Sequence, residues 1–157
     1  MSDFGIKKQF SNGELSLSTF YALHDNVLSS VYNSDFKANI LQNVGEAEVY
    51  GINLISSFEP FDNFLLFFNP SIQKSSIKNT LVYQNKLFDI KNNTIPETPK
   101  VIVKSGAIYH HDSFSHSIML KTVGSQFGDI ENNQKVKGYT NIDTRHEYSF
   151  KTIFSNS

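Results

Sequence analysis

The chain has 157 residues, the size of a single domain, with a formal charge of −1 and an isoelectric point near 6.5. That balance gives no pull toward nucleic acid or an anionic membrane surface, so nucleic acid is not an expected partner. Cysteine is absent, which removes both a disulfide framework and a thiolate metal site.

Aromatic residues make up 13% of the chain, with fourteen Phe, seven Tyr and no Trp, although the mean hydropathy is only −0.31. The longest purely apolar run, Phe64-Leu65-Leu66-Phe67-Phe68, falls far short of the roughly twenty residues a spanning helix needs. The first residues carry no basic segment followed by an apolar one, so no secretory signal is expected in this chain. A membrane β-barrel stays open, because its hydropathy signal per strand is weak.

Taken in order, Phe4 to Phe10 alternates as a short strand, with Phe4, Ile6 and Phe10 on one side. Ser11-Asn12-Gly13-Glu14 follows, and its Asn-Gly pair predicts the hairpin turn. Leu15 to Val27 reads as the next strand, where Leu15, Leu17, Thr19, Tyr21, Leu23 and Val27 share a face, with Asp25 the exception, opposite Ser16, Ser18, Phe20 and His24. A polar, irregular stretch over 29–44 leads to a strand from Glu46 to Phe58, with Tyr50, Ile52, Leu54 and Phe58 against Gly51, Asn53 and Ser57. Glu59 to Asn63 reads as a tight turn. Phe64 to Gln73 reads as the next strand, where Pro70 predicts a bulge or a frayed end because it cannot donate to a ladder.

A second polar stretch covers 76–98. Val101 to His110 and Ser115 to Phe127 are the next two strands, joined by the short turn His111-Asp112-Ser113-Phe114. A third polar loop spans 128–137. The last strand sorts by parity, with Tyr139, Asn141, Asp143, Arg145, Glu147 and Ser149 on one face and Thr140, Ile142, Thr144, His146, Tyr148 and Phe150 on the other. The expected architecture is all-β, an antiparallel meander of about seven long strands over 1–157, with no repeat and no second domain. Tight turns alternate with long connections, so in a meander all the turns gather at one end of the sheet. Outer-membrane barrels have that layout, with short periplasmic turns and longer outer loops.

Several pieces then resemble one family in the order the family carries them. Phe4-Gly5-Ile6-Lys7, Leu17-Ser18-Thr19-Phe20-Tyr21 with Asp25-Asn26-Val27, and Gly45 through Leu54 are similar to successive barrel strands of the TonB-dependent outer-membrane receptors. In the third piece Asn53 stands where the family usually has an acid. Ile95-Pro96-Glu97-Thr98-Pro99-Lys100 resembles the opener of a late strand, and Asn132-Asn133 through Gly138-Tyr139 to Asp143 resembles the family's Asn…Gly-Tyr-x-x-x-Asp. The resemblance implies an open part of a 22-strand outer-membrane β-barrel, about its fourteenth to twentieth strands. It also implies outer-membrane lipid as surroundings, a ferric siderophore or ferric citrate-like chelate as cargo, and energy from the TonB complex acting through a plug. No plug domain and no closing C-terminal strands are recognised in 1–157, and Phe154-Ser155-Asn156-Ser157 would be a periplasmic turn. The chain is therefore expected to be a fragment of a receptor, the product of a truncated or split gene or one piece of a larger assembly. Alone it would neither insert nor transport, since an open sheet leaves unpaired edges that cost several kcal/mol per buried group in hydrocarbon. The alternative from another class is a soluble β-sandwich or small-barrel binding module, which would bury the Tyr50–Phe68 face under a second sheet.

Candidate chemistry is sparse. Asp143, Arg145 and Glu147 form a charged row, read as lumen wall bonding to neighbouring strands or a plug, with ligand contact as the sharper alternative. His110, His111 and His116 with Asp112 are the local metal-type residues. A metal centre needs three or four converging ligands and adjacent strand residues point to opposite faces, so solvated turn residues is the favoured reading. Glu46 and Glu48 share a face without a nucleophile nearby, and no nucleophile elbow or glycine-rich loop occurs. Neither an enzyme nor a cofactor is expected.

Overall fold

The computed structural model describes residues 1–33, 38–83 and 86–150. Seven strands make the main sheet: β1 (Ser2–Phe10), β2 (Gly13–His24), β5 (Ala47–Phe61), β6 (Phe64–Ile77), β9 (Val101–His111), β10 (Phe114–Val123) and β13 (Tyr139–Tyr148). They lie side by side in chain order, β1-β2-β5-β6-β9-β10-β13, and every pairing is antiparallel. The strand parities read from the sequence hold across the sheet, because partners in register share a face. Ile6 sits opposite Leu17, Leu17 opposite Leu54, Ile52 opposite Ile72, and Leu120 opposite Ile142.

The tight turns are two residues each, Ser11-Asn12, Asp62-Asn63 and Asp112-Ser113, and all lie at one end. Asn63 and Asp112 take the left-handed backbone at φ 64° and 50°, which short polar side chains tolerate best after glycine. The first turn departs from the Asn-Gly expectation by one residue. Gly13 already belongs to β2, opposite Phe10 and Phe58, and a Cβ there would stand 2.2 Å from the Ser57 carbonyl oxygen. The glycine serves close approach between β2 and β5, not turn geometry. Glu59 and Pro60 likewise belong to β5, inside a register shift between Phe58 and Phe61, and the Glu59 N–H donates to the Asn12 carbonyl at 2.7 Å.

Pro70 does not shift the register, because Asn53 pairs with Ser71 and Ser57 with Phe67. Side chains bridge the interval instead. The Ser56 N–H donates to Asn69 Oδ1 at 2.9 Å, and Ser56 Oγ donates to the Phe68 carbonyl at 2.5 Å. A ladder that lacks proline's N–H is thus closed by neighbours carrying spare donors and acceptors.

The long connections hold short hairpins that parity did not reveal: β3 (Leu28–Asn33) with β4 (Ala38–Asn43), β7 (Leu81–Tyr83) with β8 (Lys86–Phe88), and β11 (Gln126–Phe127) with β12 (Lys135–Val136). The expected turn at 154–157 lies outside the described residues. The buried apolar cluster sits among these connections, joined by the last residue of β6, and not along the faces of the sheet. Val44, Ile77, Leu81, Ile90 and Ile130 pack together, with Val27, Phe88 and Ile95 against them. Polar ties fix the same region: Asn132 Nδ2 donates to the Thr94 carbonyl, the Thr94 N–H donates to Asn132 Oδ1, and Asn93 Nδ2 reaches the Ile130 carbonyl. The Asp129 carboxylate accepts from the N–H groups of Asn133 and Gln134.

On the wall itself, Leu17, Ile52, Leu66 and Ile142 are 41%, 50%, 39% and 63% exposed. A sandwich would shield them, and no second sheet covers them among the described residues. The soluble-module alternative is set aside on this ground.

Two glycines within strands seat aromatic rings on the opposite, polar face. Phe20 lies over Gly51 and Phe67 over Gly106; a Cβ at Gly106 would stand 2.7 Å from the Phe67 ring and 2.4 Å from the Ile118 carbonyl oxygen. Gly106→Ala is expected to destabilise by about 1–3 kcal/mol. The double change with Phe67→Ala should recover only part of the loss, because the carbonyl contact remains; denaturant titration checks both.

Candidate functional site

The two faces of the sheet differ in chemistry because their residues alternate along every strand. One face carries Phe4, Ile6, Leu17, Tyr21, Tyr50, Ile52, Leu54, Leu66, Phe68, Ile72, Ile118 and Ile142. At its tight-turn end runs a belt of rings in two contacting groups. Phe61 stacks on Phe64 with centroids 4.8 Å apart, Phe64 meets Tyr109 at 6.3 Å, and Phe114 meets Tyr148 at 4.6 Å, with Phe150 beyond at 4.5 Å. At the long-connection end Tyr21 and Tyr50 face each other. Beside them Lys78 Nζ meets Glu48 Oε1 at 2.5 Å, and that hydrogen bond holds the lysine above its ordinary range. An apolar band between two aromatic girdles is what a strand wall presents to a bilayer.

The other face is polar with apolar inclusions. Asp3, Ser16, Ser18, Asn53, Asn69, Ser71 and Gln73 lie there together with Phe20, Ile55, Phe67 and Met119. Polar contacts run across strands, as where Ser71 Oγ donates to Asn53 Oδ1 at 2.6 Å and Gln73 Nε2 to the Pro99 carbonyl at 3.0 Å. Asp143, Arg145 and Glu147 lie on this face opposite Met119, Ser117 and Ser115. Arg145 Nη2 pairs with Glu147 Oε1, while Asp143 has no ion-pair partner among the described residues. The pair is largely exposed, so it contributes little stability.

Parity alone did not single out Lys104 and Lys121. Each lies on the polar side of its strand, and only the register of β9 on β10 brings them directly opposite each other. Both side chains are exposed, with Asn69 and Asn141 as their outer neighbours and no ion-pair partner among the described residues. Like charges in that position repel, so the wall holds a concentration of positive charge three rungs below the long connections.

The histidines divide. His110 lies opposite Ser115 on the polar face, while His111 and His116 are on the apolar face. His110 and His116 therefore do not approach each other. The neighbour of His116 is His146 on β13, with Nδ1 atoms 2.6 Å apart. His146 stood on the amphipathic side of the last strand in the sequence, and only pairing of β13 with β10 reveals its partner. Among the described residues no three His, Cys, Asp or Glu converge as a metal-holding group.

A sheet with a lipid-type face, a wet face, turns below and long connections above defines a segment of outer-membrane β-barrel wall. The profile of the family described as TonB dependent receptor-like, beta-barrel matches residues 2–156, and the chain belongs to that family. Among solved structures, the ferric citrate transporter FecA in its unliganded form superposes with a TM-score of 0.75 at 16% identity, over 96% of this chain and 23% of that one. BauA, the ferric preacinetobactin receptor from Acinetobacter baumannii, gives 0.72 at 20% identity, over 96% and 22%. The copper transporter OprC gives 0.70 at 15%, over 95% and 22%. The chain thus spans less than a quarter of the length of these structures. No curated protein matches it by sequence.

Proposed function

We propose that this chain forms part of the barrel wall of an outer-membrane receptor that imports an anionic metal chelate of the ferric siderophore or ferric citrate kind. In this reading the rest of the receptor supplies the remaining strands and a plug, the TonB complex supplies energy through that plug, and the protein performs no catalysis. The observation that carries the reading is the Lys104–Lys121 pair: two ammonium groups without an ion-pair partner among the described residues face the wet side near the mouth, where an entering anion passes. The similarity to a ferric citrate transporter and a ferric preacinetobactin receptor agrees with an anionic cargo. Asp143, Arg145 and Glu147 lie nearer the tight turns, where they contact the plug or neighbouring strands in preference to cargo.

The test uses the full-length receptor in detergent micelles. Lys104→Gln with Lys121→Gln is expected to weaken binding of ferric citrate or another anionic ferric chelate by about tenfold or more and to flatten its salt dependence. Ser16→Gln, elsewhere on the same face, should leave binding unchanged. Equal affinity in the double variant and the parent, across a panel of anionic chelates, would sink the proposal.

A further inference from the structure

The structure assigns a second site to the opposite face: His116 and His146 form a two-imidazole site for a borderline divalent cation of the copper, nickel and zinc class, clipping β13 to β10. The two residues are register partners on neighbouring strands, so the backbone ladder aims both rings at one point. Their Nδ1 atoms are 2.6 Å apart and their ring centroids 4.9 Å apart. At that separation one nitrogen donates its N–H and the other accepts, so one lone pair already points into the gap. Two imidazole nitrogens each about 2.0–2.1 Å from a common ion stand roughly 3 Å apart. Small rotations of the rings reach that spacing without moving the strands.

The surroundings hold the rings and leave the ion unopposed. Phe114 lies parallel to His116 with centroids 6.0 Å apart, and Tyr109 is the other register partner of His116. The groups facing the pair on this side of the sheet are Tyr109, His111, Phe114, Ile118, Thr144 and Tyr148. Lys104, Lys121, Asp143, Arg145 and Glu147 all lie on the other face. Among the described residues no ammonium stands beside the pair on this face, and no carboxylate draws either ring into a competing ion pair. Both histidines are exposed, in a belt that meets the lipid headgroup level, so the site is an open one in which water takes the positions that a closed metal centre fills with a third and fourth protein ligand. As the ion enters, two nitrogen–metal bonds form and the proton held between the Nδ1 atoms passes, by way of solvent, to Nε2 of the same ring, so both ligands stay neutral imidazoles. Oxidation states do not change. Imidazole donors and the stability order of first-row ions favour Cu2+ within the class.

The site lies across the wall from the lysine pair and does not depend on the cargo. The test titrates Cu2+ into the full-length receptor in detergent micelles and reads nitrogen couplings by electron paramagnetic resonance. A two-nitrogen pattern is expected. His146→Ala and His146→Gln should each reduce it to one nitrogen and weaken binding by about tenfold or more. His110→Ala, on the other face, should change neither. Barrel folding of each variant is checked by heat-modifiable migration, and if both His146 variants fail it, His116→Gln gives the same readout from the neighbouring strand. A parent receptor that shows no two-nitrogen signal at equimolar Cu2+, or a signal that survives the loss of either ring, overturns the assignment.

Discussion

Ile52→Arg is expected to destabilise the assembled receptor in lipid by about 2–4 kcal/mol, whereas Asn53→Arg, one residue further, should cost less than about 1 kcal/mol. Ile52 sits in the middle of β5 between Thr19 and Ile72, half exposed to whatever surrounds the apolar face. If hydrocarbon surrounds it, a guanidinium there must snorkel or thin the bilayer, and near the midplane the distance to water is greatest. Asn53 points to the wet face, where Ser71 Oγ is its partner and a longer polar side chain stays solvated. Denaturant unfolding in phosphatidylcholine vesicles measures both. The contrast between adjacent positions matters more than either value, because strand disruption would affect both alike. Equal losses at the two positions would contradict a lipid-facing wall.

The second large effect lies away from the membrane. Ile90→Ala should cost about 2–5 kcal/mol, the usual range for emptying a fully buried aliphatic site. Ile90 is 0% exposed and packs with Leu81 of its own connection, with Ile77 at the end of β6, and with Val44 and Ile130 from the other two connections. Its loss is therefore expected to loosen the connections around residues 27, 44, 77–95 and 130 together, while the strands keep their protection. Amide hydrogen exchange reads this directly: faster exchange in all of these stretches supports one shared core, and a change confined to the neighbours of Ile90 would show the connections to be independent.

Strand walls were legible because alternation has a period of two and each wall strand is long. The parity of β2, β5 and β13, with Leu17, Ile52 and Ile142 on one side, carried straight into the sheet. Turn positions were less legible. Gly13 follows an asparagine and mimics a turn pair, yet its place is fixed by the Ser57 carbonyl on a strand more than forty residues away. Glu59 and Pro60 look like a turn, yet the strand continues through them by a register shift.

The candidate sites were hidden for a related reason. Lys104 and Lys121 face each other, and His116 meets His146, only once register is known, and register depends on pairings between distant stretches. The cluster around Ile90 and Ile130 was invisible because single apolar residues scattered through polar stretches show no period. Their polar neighbours Asn93 and Asn132 read as loop residues until their hydrogen bonds to other connections are seen.

Those shared isoleucines also bear on how such a receptor diversifies. Long connections on a strand wall ordinarily tolerate replacement, yet here one excursion cannot be exchanged without refitting those packed against it. Variation tolerated by this lineage should therefore gather at the hairpin apices, while Val44, Ile77, Ile90 and Ile130 change in concert or stay as they are.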